Sequence, residues 1–251
     1  MEAFATAQQV YVFGLVFARV GSMIMVMPGL GEAALSPRLR LAFALLTAFC
    51  IAPTVASALP ALDPTVGGVA FAVLKEVLIG LMIGTILRLF MSSLAMAGEI
   101  ISIQTTLAFA QTSNPMQAQP SASITTFLTL TALTLIFVTN LHHSFLLAMA
   151  KSYSLFAPLK PLPLQDTVTL AIQTVSQSIA LGVQLSAPVI VFSLVLNIAT
   201  GLVGRVMPQF QIFFVATPLS VLLGLSLLAL SVSMIGLIWI QRYESFLGVF
   251  D

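Results

Sequence analysis

Six long apolar segments constrain this chain more than any other feature. They cover about residues 8–30, 39–59, 69–97, 123–150, 167–200 and 211–240. Each exceeds the roughly 20 residues that a helix needs to cross the hydrocarbon core of a bilayer. Pro and Gly cluster between several of them, at 28–38, 59–68 and 157–166, as expected where helices end. The pattern predicts an all-α fold, a membrane-associated assembly of about six long apolar helices, since the alternation typical of a strand barrel is missing.

Composition supports a membrane environment and offers little for catalysis. Hydrophobic residues make up 59% of the chain and charged residues 7%, whereas a soluble domain carries about 25% charged residues. The net charge of +1 argues against nucleic acid as a partner. Metalloprotease, hydrolase, P-loop and redox motifs are missing, and the adjacent His142 and His143 point about 100° apart on a helix, so they cannot chelate one ion. We therefore expect no enzymatic activity, no cofactor and no metal.

Membrane topology is poorly encoded. The basic residues near the loops divide almost evenly between the two sides: Arg38, Arg40 and Arg205 fall on one, and Lys151, Lys160, Arg242 and Lys75 on the other. The positive-inside rule needs a bias between the sides. A simple insertion of six spans is therefore not specified.

A line of polar side chains follows the fifth segment. Asp166, Gln173, Gln177 and Gln184 are offset by 7, 11 and 18 residues, which places them within an arc of about 40° on a helix. Unpaired amides in lipid cost several kcal/mol each. The line therefore serves either hydrogen bonding inside a bundle or contacts with neighbouring subunits.

Four charges lie in or beside the third apolar segment. Lys75, Glu76 and Arg88 share that segment with Gly80 and Gly84, a small-xxx-small pair that lets another helix approach closely. Glu99 follows Arg88 by 11 residues and so lies on the same helix face. Ionisable residues inside a membrane mark functional sites. The set of Lys75, Glu76, Arg88 and Glu99 is predicted to be buried, with either an ion-coupling role or, for Lys75 and Glu76, a position at the membrane interface.

An uncharged polar stretch interrupts the apolar pattern. Residues 98–123, "GEIISIQTTLAFAQTSNPMQAQPSAS", contain one charge, Glu99, together with four glutamines, an asparagine and two prolines. Irregular backbone at membrane depth is tolerated only where protein or a water-filled cavity surrounds it. On composition alone, the stretch fits either a polar connector or the lining of a channel.

The stretch "LNIATGLVGRVMPQFQIFFVATPLSVLLGL" at 196–225 and the polar stretch, which contains "GE", Gln104, "FA" and Pro115 in that order, are distinctive parts of the sequence. Both resemble the FliR family of flagellar and injectisome export-gate proteins, whose "GE…Q…FA…DP" segment is similar to the polar stretch. Asn114 stands where the family usually has Asp, and Leu141 where Gly is common. The matching positions are Asn197, Gly201, Arg205, Pro208, Gln209, Phe213, Phe214, Pro218 and Gly224 in the first stretch, and Gly98, Glu99, Gln104, Phe109, Ala110 and Pro115 in the second.

The resemblance implies a core component of the type III secretion export gate. One copy of such a protein joins FliP- and FliQ-like subunits in a hetero-oligomer of the bacterial inner membrane, at the flagellar basal body. The assembled hetero-oligomer forms the channel that conducts unfolded export substrates. The resemblance also implies that residues 1–165 form a FliP-like helical part and residues 166–251 a FliQ-like helical hairpin. The stretch 104–119 matches the plug loop, with channel-lining positions Gln104, Phe109, Gln111, Asn114, Pro115, Met116 and Gln117.

Two further expectations concern partners and the rival function. The resemblance places the turn at 201–209, with Arg205, Pro208 and Gln209, near the cytoplasmic entrance and an FlhB-like export-switch protein. It also implies that the polar line of the fifth segment faces neighbouring subunits; we call this the Gln line, and it consists of Asp166, Gln173, Gln177 and Gln184. The alternative is a secondary transporter for a small solute. That class predicts an inverted repeat and charges in two broken helices, and the sequence shows no such repeat.

Overall fold

The computed structural model describes residues 6–32, 35–62, 65–107, 123–158, 160, 164–209 and 211–248, and within these ranges it is helical without any strand. The all-α prediction is therefore confirmed. The α-helices, numbered in chain order, are α1 Ala7–Val26, α2 Pro37–Val55, α3 Val66–Gln104, α4 Ser123–Val138, α5 Leu141–Leu155, α6 Leu164–Val206 and α7 Ile212–Leu247. A single 3₁₀ turn, Ala56–Ala58, follows α2.

Local sequence signals explain where several helices begin. Thr6 caps α1 and forms a reciprocal capping box with Gln9, which satisfies two backbone donors of the first turn. Ser36 caps α2 directly before Pro37, whose fixed φ suits the first helical position. Helix α6 carries Asp166 in its first turn and Arg205 in its last, so both charges complement the helix dipole.

Helices α3 and α6 are longer than the apolar segments from which they were predicted. They contain 39 and 43 residues, or about 58 and 64 Å of helix at 1.5 Å per residue. Both lengths exceed the roughly 30 Å of a hydrocarbon core. The predicted long fifth helix is confirmed and continues through Pro188.

The fourth apolar segment differs from the prediction of one long helix. It forms α4 and α5, which are bent by 75° at a short break. Asn140 at this break adopts the left-handed region, with φ 61° and ψ 17°. Asparagine enters that region more readily than most residues, so the chain turns here without the Pro or Gly that would have revealed the break.

Five of the helices are long and apolar enough to cross a membrane, or six if the bent pair of α4 and α5 forms one span. This agrees with the six apolar segments of the sequence. In none of the five long helices is more than 44% of the best apolar window buried within the chain. Most of their surface is therefore left for lipid or for other proteins.

The chain divides into two compact units. The first contains Met1–Phe90, Ile136–Val175 and Glu244–Asp251, and the second contains Met91–Leu135 and Ser176–Tyr243. Val16, Ile79 and Met149 are fully buried in the first unit. In the second, Trp239 is fully buried and donates its indole N–H to Ser93 Oγ at 3.1 Å. The predicted division at residue 165 concerns likeness to two other proteins, so it stays a prediction.

Candidate functional site

A buried ion pair occupies the centre of the first unit. Arg19 on α1 and Glu76 on α3 are 0% and 2% exposed. The guanidinium binds the carboxylate through two bonds, from Nε to Oε2 at 2.5 Å and from Nη2 to Oε1 at 3.0 Å. Bidentate geometry of this kind is both stronger and more directional than a single charged hydrogen bond. The pair therefore fixes the register of α1 against α3.

The rest of the guanidinium reaches the end of α5. Nη1 donates to the carbonyl of Ser152 at 2.9 Å, and Nη2 donates to the carbonyl of Phe156 at 3.0 Å. The guanidinium carbon also lies 4.0 Å from the centre of the Tyr153 ring, within the range of a cation–π interaction. Arg19 thus joins three helices, with each of its nitrogens bonded and its charge balanced by Glu76.

Small residues make this approach possible, as the sequence predicted. A Cβ atom on Gly80 would overlap the carbonyl of Arg19 and the hydroxyl of Ser22. A Cβ on Gly84 would lie 3.0 Å from the carbonyl oxygen of Met23, closer than a normal contact. The small-xxx-small pair of α3 therefore packs directly against α1.

Lys75, next to Glu76, binds the segment that follows α5. Its Nζ donates to the carbonyls of Pro158 and Lys160, at 2.5 Å each. The last carbonyls of a helix lack partners inside that helix, and its C-terminal end carries a partial negative charge. Two cations, Arg19 and Lys75, thus satisfy carbonyls at the end of α5 and just beyond it.

The structure revises the predicted set of four buried charges. Glu76 is buried, Lys75 is half-buried, and Arg88 and Glu99 are exposed on the outer surface of α3 in the single chain. Sequence reasoning missed Arg19, the partner of Glu76. The signal was present, because Arg19 is the one charged residue of the apolar helix α1 and a buried Arg needs an opposite charge from another helix.

A second cluster lies in the second unit, where α3 leads into the polar stretch. Gln104, the last residue of α3, accepts a hydrogen bond at its Oε1 from Ser193 Oγ at 2.8 Å. Asn197, one turn further along α6, donates from Nδ2 to the same hydroxyl at 3.5 Å. Thr106 then takes a φ of 61°, which ends the helix. Of the predicted channel-lining residues, Gln104 thus bonds to α6.

Both flanks of the polar stretch pack through glycines of the matched family positions. A Cβ on Gly98 would lie 2.9 Å from the backbone nitrogen of Thr125 on α4, whose hydroxyl donates to Glu99 Oε1 at 3.0 Å. A Cβ on Gly224 of α7 would lie 3.1 Å from Cβ of Thr105. The ends of the stretch are therefore held by close contacts with α4, α6 and α7. The other predicted channel-lining positions, Phe109, Gln111, Asn114, Pro115, Met116 and Gln117, lie outside the described residues.

The remaining predicted residues are on the surface of the chain. Arg205, Pro208 and Gln209 are exposed at the end of α6, where Arg205 has no hydrogen bond or ion pair within the described residues. The Gln line is exposed as well, at Asp166, Gln173, Gln177 and Gln184. Neither group is used to hold the single chain together.

In the residues that the structure describes, the fold and these sites define a helical protein with several candidate membrane spans and a polar stretch whose flanking residues pack on α4, α6 and α7. The profile of the family described as "Bacterial export proteins, family 1" matches residues 10–246, and the chain belongs to this family.

Several relatives carry the name flagellar biosynthetic protein FliR. The one from Caulobacter vibrioides is 59% identical over the full length of both chains. The one from Escherichia coli K12 is 31% identical over 84% of this chain and 80% of its own length. The one from Aquifex aeolicus is 30% identical over 94% and 91%.

Proposed function

We propose that this chain is the FliR-like core subunit of a flagellar type III export gate. The similarity to the Caulobacter protein, at 59% over the whole of both chains, is the observation that carries the proposal. In this role one copy joins FliP- and FliQ-like subunits in the inner membrane, at the flagellar basal body, and the assembly forms a channel for unfolded export substrates. The large unburied apolar surface of the spans supports a place inside such an assembly.

Deletion of the gene tests this function. We expect cells without it to lose flagellin secretion and swimming in soft agar, and a plasmid copy to restore both. A tagged copy should also co-purify with the FliP- and FliQ-like subunits from mild detergent. Normal flagellin export in the deletion strain would reject the proposal, and a defect in the uptake of a small solute would favour a transporter.

Within the gate, residues 104–119 form the plug that closes the channel before substrates pass. Two observations support this assignment. The described start of the stretch is anchored by Gln104 to Ser193, and Gly98 packs against Thr125 beyond its other end. Anchored flanks allow the residues between them to be displaced without separating the surrounding helices.

Residues 1–165 and 166–251 take the places of a FliP-like and a FliQ-like subunit in the ring. In support, α6 and α7 are long helices with only residues 207–211 between them. The exposed Gln line on α6, consisting of Asp166, Gln173, Gln177 and Gln184, is then available to neighbouring subunits, whose amides and hydroxyls would complete its hydrogen bonds.

The region 201–209 consists of the last residues of α6, up to Val206, and the start of the connection to α7, so only its second part is a turn; this region faces the cytoplasmic entrance and an FlhB-like export-switch protein. Arg205, with Pro208 and Gln209 beside it, is exposed there and uses no partner in the described chain. We expect Arg205→Ala to leave the assembled gate intact in native gels while reducing the amount of secreted flagellin. Unchanged secretion would indicate that Arg205 only completes the helix dipole at the end of α6.

A further inference from the structure

The outer face of α3 carries an exposed stripe that faces away from the Arg19–Glu76 pair. Its members recur at intervals of three and four residues, which places them along one side of a helix. The apolar ones are between 37% and 70% exposed. We call this the α3 stripe; it consists of Phe71, Leu74, Leu78, Leu81, Thr85 and Arg88.

Arg88 is the exceptional member of the α3 stripe. It lies 22 residues after the start of α3 and 16 before its end, or about 33 and 24 Å along the helix. The other charges of α3 have partners: Glu76 binds Arg19, Lys75 binds two carbonyls and Glu99 accepts from Thr125. In the described part of the chain, Arg88 forms no hydrogen bond or ion pair.

The hydrocarbon of a lipid bilayer is an unfavourable environment for the α3 stripe. A charged side chain inside the hydrocarbon costs about 2.5–3.5 kcal/mol even on insertion scales, and Arg88 lies well inside α3, where its nearest exposed neighbours, Thr85 and Ser92, carry no charge. A water-filled channel is also a poor match, because four of the six residues of the α3 stripe are Leu or Phe. An apolar stripe with one cation suits a helix that brings its own carboxylate.

A second copy of this chain does not supply that carboxylate. All copies insert into the membrane in the same direction, so two α3 stripes would meet as parallel helices. Arg88 would then lie at the depth of Arg88 in its partner, and like charges in contact repel. Two α3 stripes therefore do not pair with each other, and the single cation favours a partner helix of different sequence.

We propose that the α3 stripe is a docking surface for a membrane helix of a different subunit, which presents an Asp or Glu side chain to Arg88. The inference rests on the proposed hetero-oligomeric gate and adds to it the face that is used and the chemistry of the partner. The apolar residues supply packing area, and the ion pair at Arg88 sets the depth and register of the two helices.

Charge reversal tests the docking surface in the assembled complex. Arg88→Glu, expressed with the rest of the flagellar operon, should lower the fraction of the chain in the large native complex by about tenfold or more. Arg38→Glu is the matched control, because Arg38 is exposed in the first turn of α2 and outside the stripe. If the parent chain itself forms no large complex, the proposed gate fails together with this inference. If the parent assembles and Arg88→Glu assembles equally well, only the inference fails.

Selection for restored swimming identifies the partner. Revertants of Arg88→Glu should carry an Asp or Glu to Lys or Arg change in a membrane helix of another subunit. Revertants confined to this chain would overturn the proposal. Should Arg88→Glu be degraded before it assembles, a photo-crosslinking residue at Leu81 in the otherwise unchanged chain decides the matter. An adduct with a different subunit supports the docking surface, whereas adducts with lipid or with a second copy exclude it.

Discussion

At the scale of single residues, the molecule depends most on the ion pair between Arg19 and Glu76. The Arg19 guanidinium also donates hydrogen bonds to the carbonyls of Ser152 and Phe156, so Arg19 and Glu76 are not equivalent. Glu76 satisfies only Arg19, whereas Arg19 satisfies Glu76 and the end of α5. Substitutions at the two positions should therefore differ in their effects.

Glu76→Gln should destabilise the assembled protein severely. It leaves the charge of Arg19 buried without a counter-charge, and removal of one partner from a buried pair costs about 3–5 kcal/mol. We expect a lower thermal midpoint of the purified complex and faster proteolysis. The control is Glu244→Gln, because Glu244 is exposed and surface substitutions usually change stability by about 0.5 kcal/mol or less.

Two double variants separate charge pairing from geometry. The combination Arg19→Met with Glu76→Leu should be less destabilising than Glu76→Gln alone, because it leaves no unpaired charge in the core. The exchange Arg19→Glu with Glu76→Arg should not restore stability, since a carboxylate at position 19 would face the carbonyls of Ser152 and Phe156. Full rescue by the exchange would contradict the role of those carbonyls.

At the scale of helices, glycines set how closely the flanks of the polar stretch approach their neighbours. Gly98 lies against the backbone of Thr125, and Gly224 lies against the side chain of Thr105. A side-chain neighbour can adjust its position, but a backbone neighbour can move only with its helix. Gly98 is therefore the more sensitive of the two positions.

Gly98→Ala should separate the end of α3 from the start of α4 and cost about 1–3 kcal/mol, as overpacking does in protein cores. We expect a lower thermal midpoint of the complex and smaller swimming rings. Gly14→Ala is the matched control, because Gly14 lies inside α1, a Cβ there would meet no atom within 4 Å, and Ala favours the helix by up to about 1 kcal/mol. Equal stability of the two variants would show that α4 is not fixed at Thr125.

The plug assignment makes its own prediction for the stretch between these helices. Phe109 is its large apolar side chain amid amides, and burial of such a ring contributes about 1.5–3 kcal/mol to a closed arrangement. Phe109→Ala should therefore raise the open fraction about ten- to hundredfold, and deletion of 111–119 should open the channel further. Conductance across membranes that hold the assembled complex measures this. If both variants assemble and remain as tight as the parent, the stretch is a connector.

The sequence predicts the helices and the family, but it does not predict all of the contacts between the helices. Apolar segments and Pro–Gly clusters locate most helices, because burial in lipid and helix-breaking residues act locally. The break at Asn140 escaped prediction, since a left-handed Asn looks like any polar residue in the sequence. Arg19 escaped because its partner Glu76 is 57 positions away, and pairing at that distance is decided by how α1 packs on α3.

At the scale of the whole molecule, the chain leaves much apolar surface uncovered by its own residues. Leu202 on α6 is 60% exposed, and Leu230 and Met234 on α7 are 82% and 67% exposed. Large apolar side chains exposed to this degree on long apolar helices mark contact with lipid or protein. The polar Gln line lies on the exposed surface of α6 as well, and amides there need hydrogen-bonding partners that lipid does not supply.

We expect the chain expressed without its partner subunits to aggregate or to be degraded after extraction in mild detergent. Co-expression with FliP- and FliQ-like subunits should yield a single stable species in size-exclusion chromatography. The parent operon with only this gene tagged is the control for effects of the tag. A long-lived, monodisperse monomer would count against the assembly.

The bend between α4 and α5 has a consequence for how the protein is made. The two helices have 16 and 15 residues, or about 24 and 22 Å, so neither alone crosses a hydrocarbon core of roughly 30 Å. During translation, the insertion machinery therefore receives an apolar stretch that is long enough to be inserted as one span. In the finished fold, the same stretch is bent by 75°. If the stretch is first inserted as one span, the turn at Asn140 has to form afterwards, as α4 and α5 take their places in the fold.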